Sequence, residues 1–422
     1  MAEAIRDRGR RPGLAAAGSL WFASMRLRIG VVLLLAVAGL AAWNYLRPIP
    51  AVAARGSLPA SDAVPGTAPS ISWPSRGSGA LGVSDLGLVA SSGDEQPIPP
   101  ASVTKVMTAL VILEDKPLQK NDPGPLITID QVDVDGYRAD LADRQSVVRV
   151  QAGEQLTELQ ALQGMLIPSG NNLAETLARW DAGTIDAFVA KMNARARELH
   201  LTHTTFADTS GASAGTTSTP ADLVALGMAA MKQPVFAQIV GMAQAELPVA
   251  GTVYNVDGVL GQSGIIGIKT GSGLKDGANF LFAASVPVDG HPIVIYGCVM
   301  GQPTLAVAFS AARALIASMQ PALHVRRVIA RNQSIASYTT PWGGQTDLVS
   351  TVDVDLAEWP GMVLRQRLDA GAIVVDRPLP AGTREGSEHV VLGDYSLDVP
   401  LVTAGPLYPP GRLWRLTRLT LS

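Results

Sequence analysis

The sequence has little cysteine, histidine or aromatic content. Its 422 residues include one cysteine, Cys298, and five histidines. A single cysteine cannot form a disulfide within the chain, and its place in the apolar run 292–300 indicates a small core residue. His200 and His203 lie three residues apart, but no HExxH string occurs. The sequence therefore predicts neither a metal site nor a thiol catalyst, and we expect no cofactor.

Charged residues are also scarce, at 16% against 47% apolar residues. Residues 1–28 hold six arginines and two acidic residues, a net charge of +4, whereas the whole chain carries −3. Beyond residue 28 the chain is thus acidic. It has no basic face of the kind that binds nucleic acid, so no nucleic-acid partner is expected.

One uncharged stretch, residues 29–46, lies between Arg28 and Arg47. At 1.5 Å per residue it is just long enough to cross a bilayer. The arginines on its N-terminal side predict residues 1–28 as a cytoplasmic tail, with the rest of the chain outside. A signal peptide cleaved near Ala53 is the alternative. The apolar run is longer than a usual signal core, which favours a retained anchor.

The remainder divides into three parts by composition. Residues 47–78 are rich in Pro, Ser, Gly and Ala and predict a flexible tether. Residues 79–323 show helices in the middle and strands late in the segment, which predicts an α+β domain. Residues 324–422 carry short alternating runs with Gly and Pro turns, typical of a small all-β domain.

Individual elements follow from periodicity and caps. Thr157 and Gln160 form a capping box that opens a helix. The segment 126–150 predicts loops and short strands, and 412–421 predicts a last strand in preference to a membrane-contacting segment. The other predicted helices are 102–114, 171–180, 184–199, 219–231, 234–242 and 304–319. The predicted strands are 80–90 (a strand or hairpin), 246–256, 265–270, 278–286 and 292–300.

The first of three short motifs is Ser102-Val-Thr-Lys105. Positions i and i+3 share a helix face, so Lys105 is expected beside the Ser102 hydroxyl. The first helical turn favours developing negative charge. A buried lysine loses its proton readily and can activate a serine. Alone, the string also fits an ordinary helix start with a solvated lysine.

The second motif, Ser169-Gly-Asn171, follows Pro168 and predicts a tight loop between two helices. Such a loop can direct a hydroxyl and an amide into a cleft. Serine or asparagine at a helix start is equally explained by N-capping.

The third motif, Lys269-Thr-Gly271, ends a strand-like run. Lys269 and Thr270 can bind a substrate carboxylate, and Gly271 allows close approach of a ligand backbone. Ser272 could offer its N–H to an oxyanion together with that of Ser102. A phosphate-binding loop is excluded because it requires glycine where Ser263 and Ile268 stand.

In this order the three motifs resemble the active-site set of the serine-type D-alanyl-D-alanine carboxypeptidases, the low-molecular-mass penicillin-binding proteins. The resemblance also covers 100–110, 153–159, 192–199 and Ser210-Gly211, and we judge it to run from 79 to 318. The glycine-rich segment 271–277 departs from the family, which usually has a bulky residue and a threonine there.

The resemblance implies a penicillin-recognising fold, of the β-lactamase and transpeptidase type, with an accessory all-β domain. It implies Ser102 as nucleophile, Lys105 as base, and Ser169 with Lys269 as a proton relay. Asn171 would orient Lys105 and the substrate, and Lys269 with Thr270 would hold its carboxylate.

The implied substrate is a peptidoglycan stem peptide ending in D-Ala-D-Ala, with β-lactams as covalent inhibitors and the bacterial cell membrane as location. A β-lactamase is one alternative, although no Glu-x-x-Leu-Asn string occurs. A catalytically silent cell-wall scaffold is another, although Ser102, Lys105, Ser169 and Lys269 are all present.

Overall fold

The computed structural model describes residues 15–67, 69–93, 96–273 and 277–418. Three stretches on which sequence predictions fall lie outside the described residues. They are 1–14 of the predicted cytoplasmic tail, 274–276 of the glycine-rich segment, and 419–422 at the C-terminus.

The N-terminal apolar segment forms a single helix, α1 (Ala15–Leu46). Its part Met25–Leu46 has 22 residues and is apolar and long enough to cross a membrane. The predicted span 29–46 lies within it. Side chains such as Leu34 and Leu35 are exposed over more than half of their surface. A helix that buries almost none of its apolar side chains in protein is suited to a lipid environment.

The segment that follows differs from the expected flexible tether. It contributes two short strands, β1 (Arg55–Gly56) and β2 (Ser61–Ala63), to the edges of the C-terminal sheet. Val52 and Val64 are buried in the same core as that sheet. Apolar burial and backbone pairing therefore fix a segment whose Pro- and Ser-rich composition suggested mobility.

A five-stranded antiparallel sheet in the order β4–β3–β11–β10–β9 forms the centre of the next region. Two small pairs, β5 with β6 and β7 with β8, lie among its helices. The strands are β3 (Ser78–Val83), β4 (Gly87–Ser92), β5 (Leu126–Thr128), β6 (Gln155–Thr157), β7 (Gln244–Leu247), β8 (Gly251–Tyr254), β9 (Ile265–Gly273), β10 (Gly277–Val288) and β11 (His291–Gln302).

Helices cover both faces of this sheet. They are α2 (Lys105–Asp115), α3 (Gln131–Ala142), α4 (Glu158–Leu166), α5 (Asn171–Ala182), α6 (Ile185–Glu198), α7 (Pro220–Met231), α8 (Pro234–Val240) and α9 (Leu305–Met319). Side chains alternate along β10 as the pleat requires. Leu281 and Ala283 join the core under α2 and α4–α8, whereas Phe280 and Phe282 join the core under α9. This two-sided burial confirms the predicted α+β arrangement.

Most predicted elements are confirmed, including the capping box at Thr157 and Gln160. Two predictions for this region were wrong. The segment 126–150 contains the helix α3, which buries only Asp133 and Val134 and so lacks the apolar stripe that reveals a helix. The predicted strand 246–256 is instead the β7–β8 hairpin, whose turn follows Pro248.

The C-terminal region is built on a seven-stranded antiparallel sheet in the order β1–β13–β14–β18–β17–β16–β2, with β12 and β15 paired beside it. Its alternating strands bury one face in a core shared with α9. The strands are β12 (His324–Ile329), β13 (Ser334–Thr339), β14 (Gln345–Ser350), β15 (Val354–Glu358), β16 (Val363–Asp369), β17 (Arg384–Leu392) and β18 (Tyr395–Thr403).

The final described element was predicted as a strand but is a short helix, α10 (Arg412–Thr417), packed against the end of α1. The last carbonyls of α1 have no partner within the helix. Arg418 donates from Nε to the Asn44 carbonyl and from Nη1 to the Pro48 carbonyl, both at 2.9 Å. Arg415 donates to the Tyr45 carbonyl at 3.0 Å. These hydrogen bonds hold the C-terminal segment against the end of α1.

Candidate active site

The nucleophile candidate lies in a single 3₁₀ turn, Ala101–Thr104, immediately before α2. Lys105 is the first residue of α2 and is completely buried. Its Nζ lies 2.8 Å from the Ser102 Oγ, the contact that the i, i+3 spacing predicts. The local helix geometry alone thus places an amine against the serine hydroxyl.

Two further contacts decide which way the Lys105 amine faces. Nζ lies 2.6 Å from the Asn171 Oδ1 and 3.0 Å from the Ser210 carbonyl oxygen. Both oxygens can only accept hydrogen bonds. A neutral amine has two N–H groups and one lone pair. When the two oxygens take the N–H groups, the lone pair faces Ser102, as removal of the hydroxyl proton requires.

The second motif is the loop between α4 and α5. Ser169 has a φ of +71°, in the left-handed region that non-glycine residues rarely adopt, and is buried. Asn171 is the first residue of α5. The side chain of Ser169 accepts a hydrogen bond from Lys269 Nζ at 3.0 Å. This contact joins residues 100 positions apart. A strained backbone held in such a contact is typical of functional sites.

The third motif lies within β9, the edge strand of the five-stranded sheet. Lys269 and Thr270 are buried, whereas Ser272 is exposed. A Cβ on Gly271 would lie 2.4 Å from the Pro100 carbonyl oxygen and 3.3 Å from the Ser102 nitrogen. Only glycine lets β9 pass this close to the nucleophile turn. Because β9 is the edge strand, its outer side beside Ser102 has no strand partner among the described residues and can accept an extended peptide.

Burial lowers the pKa values of both lysines. Burial, followed by the positive charge of Lys269, holds the pKa of Lys105 well below its usual range, against the opposing effect of Asp208 and Asp140. Burial lowers the pKa of Lys269 to about 7, against the opposing charge of Asp257. Lys105 is therefore suited to accept a proton, and Lys269 can change charge near neutral pH.

Two residues that our sequence reasoning missed support this site. Gln145 Oε1 accepts a hydrogen bond from the Asn171 Nδ2 at 2.7 Å. Asp208 Oδ2 accepts from the backbone N–H groups of Ser210 and Gly211, which fixes the turn that presents the Ser210 carbonyl to Lys105. An aspartate two residues before Ser-Gly is a turn signal that could have been recognised. Gln145 lies in a polar stretch and has no such signal.

The structure brings all three motifs together, in two linked groups: Ser102, Lys105 and Asn171 in one, and Ser169 and Lys269 in the other. Thr270, Gly271 and Ser272 lie along the strand beside them. Among the described residues, no group of three or more His, Cys, Asp or Glu side chains could hold a metal ion. The buried lysine, the serine and the adjoining strand edge together define an acyl-transfer site of the serine–lysine type.

Comparison with known proteins agrees with this class. Residues 87–303 match the peptidase S11 family, described as D-alanyl-D-alanine carboxypeptidase. The chain is 36% identical over 235 residues to the D-alanyl-D-alanine carboxypeptidase DacB2 of Mycobacterium tuberculosis, covering 52% of this chain and 75% of that protein.

Solved structures show the same relationship. The DD-transpeptidase of Streptomyces K15 superposes with a TM-score of 0.52 and 27% identity, covering 60% of this chain and 98% of that one. Penicillin-binding protein 5 of Haemophilus influenzae shares the fold over 82% of this chain and all of its own, with a TM-score of 0.60 and 19% identity. This chain belongs to the D-alanyl-D-alanine carboxypeptidase family of serine peptidases, peptidase S11.

The close approach at Gly271 predicts that Gly271→Ala greatly slows acylation by a penicillin. The added Cβ must push β9 away from the Ser102 turn, and a displacement of about 1 Å near reacting groups can cost about 100-fold in rate. The acylation rate should be measured by stopped flow with a fluorescent penicillin. Gly56→Ala is the control, since its Cβ would meet nothing closer than 3.6 Å. Equal rates in both variants would contradict the prediction.

Proposed function

We propose that this protein removes the terminal D-alanine from peptidoglycan stem peptides through an acyl-enzyme on Ser102. The contact of the buried Lys105 amine with the Ser102 hydroxyl, in a chain of this family, carries the proposal. Ser102 Oγ attacks the carbonyl carbon between the two last D-alanines, and Lys105 takes its proton. The backbone N–H groups of Ser102 and Ser272 stabilise the resulting oxyanion.

The second group of residues, Ser169 and Lys269, acts on the leaving group and on the substrate terminus. Ser169 passes its hydroxyl proton to the amine of the departing D-alanine and takes one in its place from Lys269 Nζ, which donates to it. Lys269 and Thr270 bind the terminal carboxylate, and Asn171 orients both Lys105 and the substrate amide. Water then attacks the acyl carbonyl and gives a proton through Ser169 back to Lys269, while Lys105 returns its proton to the Ser102 Oγ as the shortened peptide leaves. β-Lactams acylate the same serine.

The two alternatives are less well supported. A β-lactamase must hydrolyse its acyl-enzyme rapidly, and the sequence has no Glu-x-x-Leu-Asn string that would supply the class A glutamate. A silent scaffold does not explain the buried contacts Lys105–Ser102 and Lys269–Ser169. The family assignment favours neither.

Ser102→Ala should abolish both penicillin labelling and release of D-alanine from a purified pentapeptide, since Lys105 is hydrogen-bonded to no other hydroxyl among the described residues. Ser310→Ala, a change of an exposed helical serine, should leave both unchanged. The two measurements are covalent labelling with a fluorescent penicillin and quantification of free D-alanine. Labelling of the Ser102→Ala protein would exclude Ser102 as nucleophile. Rapid loss of label from the unmodified protein, without D-alanine release, would favour the β-lactamase.

The lysine charges predict the pH dependence of kcat/KM for the peptide. Lys105 must be neutral to accept a proton, whereas Lys269 must be charged to bind the carboxylate. Since the pKa of Lys269 is lowered to about 7, kcat/KM should fall as the pH rises through that value. Asp257→Asn removes a negative charge that favours the protonated lysine, so the alkaline limb should move to lower pH.

The matched control is Asp222→Asn, because Asp222 is a largely buried aspartate that accepts from the His203 backbone and the Thr204 hydroxyl. That variant should lose stability but keep the wild-type limb. If the alkaline limb of the Asp257→Asn variant stays in place or moves to higher pH, the charged form of Lys269 does not hold the carboxylate.

For location, we propose a retained single-pass anchor with a cytoplasmic N-terminus and an extracytoplasmic catalytic region. The arginine asymmetry around 29–46 supports this orientation. Protease added to intact spheroplasts should remove the globular part and leave a short N-terminal fragment. Purification of a mature protein beginning near Ala54 would show a cleaved signal instead.

A further inference from the structure

Gln145 lies between α3 and β6, outside all three motifs. Its Oε1 accepts from the Asn171 Nδ2 at 2.7 Å, and its backbone N–H donates to the Asp140 carbonyl at 2.9 Å. The side chain is half-buried beside the cleft. Gln145 thus contacts Asn171, the motif residue whose Oδ1 is hydrogen-bonded to the Lys105 Nζ.

The segment that carries Gln145 is fastened to the start of α5. The Asn171 N–H donates to the Ser146 carbonyl at 2.8 Å. The Asn172 side chain accepts from the Val148 N–H and donates to the Val148 carbonyl, both at 2.9 Å. Four hydrogen bonds therefore join this segment to Asn171 and Asn172, so the Gln145 side chain has a fixed position relative to the Asn171 amide.

The Asn171 amide can face its neighbours in two ways. As it stands, Oδ1 faces Lys105 at 2.6 Å and Nδ2 faces Gln145 at 2.7 Å. A rotation by half a turn would point an N–H group at Lys105 and bring two acceptor oxygens together at Gln145. An N–H donor at Lys105 would compete with the Ser102 hydroxyl for the lone pair of the amine. The Gln145 oxygen opposes that rotation, because Asn171 can turn over without loss only if the Gln145 amide turns over with it and presents Nε2.

We propose that Gln145 is a positioning residue that holds the Asn171 amide with its oxygen toward Lys105 and thereby directs the Lys105 lone pair at Ser102. The inference rests on the proposed function, since it concerns the step in which Lys105 accepts the serine proton. Asp140, Asp208 and Lys269 are the charged groups that act on Lys105. Gln145 adds a neutral acceptor that controls orientation.

Two variants distinguish an effect of residue 145 on the orientation of the Asn171 amide from an effect on the charge of Lys105. Gln145→Leu removes the acceptor, so the plateau rate of acylation by a fluorescent penicillin should fall about tenfold, the equivalent of one hydrogen bond of about 1.4 kcal/mol. Gln145→Glu offers an acceptor oxygen in either orientation and should keep the plateau within about threefold. Its added negative charge favours protonated Lys105, so the acid limb of the rate should move to higher pH.

Gln160→Leu is the matched control. Gln160 is also half-buried and also accepts through Oε1, from the Thr157 N–H at 3.0 Å, but it caps α4 and lies outside the site. This variant should lower the Tm and leave the plateau and the pH profile unchanged. All proteins are used as the full chain in detergent, with the Tm recorded beside the acylation rate.

The proposal is overturned if Gln145→Leu acylates with the wild-type plateau and profile. It is also overturned if both Gln145 variants lose rate equally with no movement of the acid limb, or if Gln160→Leu loses acylation to the same extent at an equal fall in Tm. The proposed function is judged separately, by whether the unmodified protein labels and releases D-alanine. A positive result there with an unaffected Gln145→Leu protein removes only this inference.

Discussion

Complete burial of the Lys105 amine is the constraint on which the site depends. A charged ammonium without water is costly, so the surroundings must either pair the charge or remove it. Here the nearest cation, Lys269, opposes charging further, and the contacts of Nζ are a hydroxyl, an amide oxygen and a carbonyl. These surroundings thus maintain an amine in the form that can remove a proton.

Much of this site could be predicted from the sequence because helix spacing fixes its first contact. Ser102 and Lys105 meet through local geometry alone, and the alternation and apolar runs of β9–β11 predicted the sheet that carries Lys269. The convergence of the motifs was implied by resemblance, since no local rule brings Ser169 to Lys269 across 100 positions. The close approach at Gly271 depends on tertiary packing, which a single glycine in a strand does not reveal.

The rest could not be predicted because the deciding contacts are non-local or solvent-exposed. The role proposed for Gln145 depends on the hydrogen bonds that hold the segment after α3 against α5. The helix α3 itself has too few buried side chains to show an apolar stripe in the sequence. Residues 47–78 have the composition of a linker. Two valines and a few backbone hydrogen bonds nevertheless hold the segment at the edges of the C-terminal sheet, and composition does not record such pairing.

The arginine contacts between α10 and the end of α1 bear on how such a protein would find its substrate. A loose linker would let the catalytic cleft swing through a range of heights and tilts. With Arg415 and Arg418 bound to the last carbonyls of the anchor, and the following residues paired into the C-terminal sheet, that freedom is removed. For a protein anchored by α1 as proposed above, the search would be one of lateral diffusion in two dimensions at a fixed height, so the density of substrate in that one layer of the wall, and not the total, would set the encounter rate.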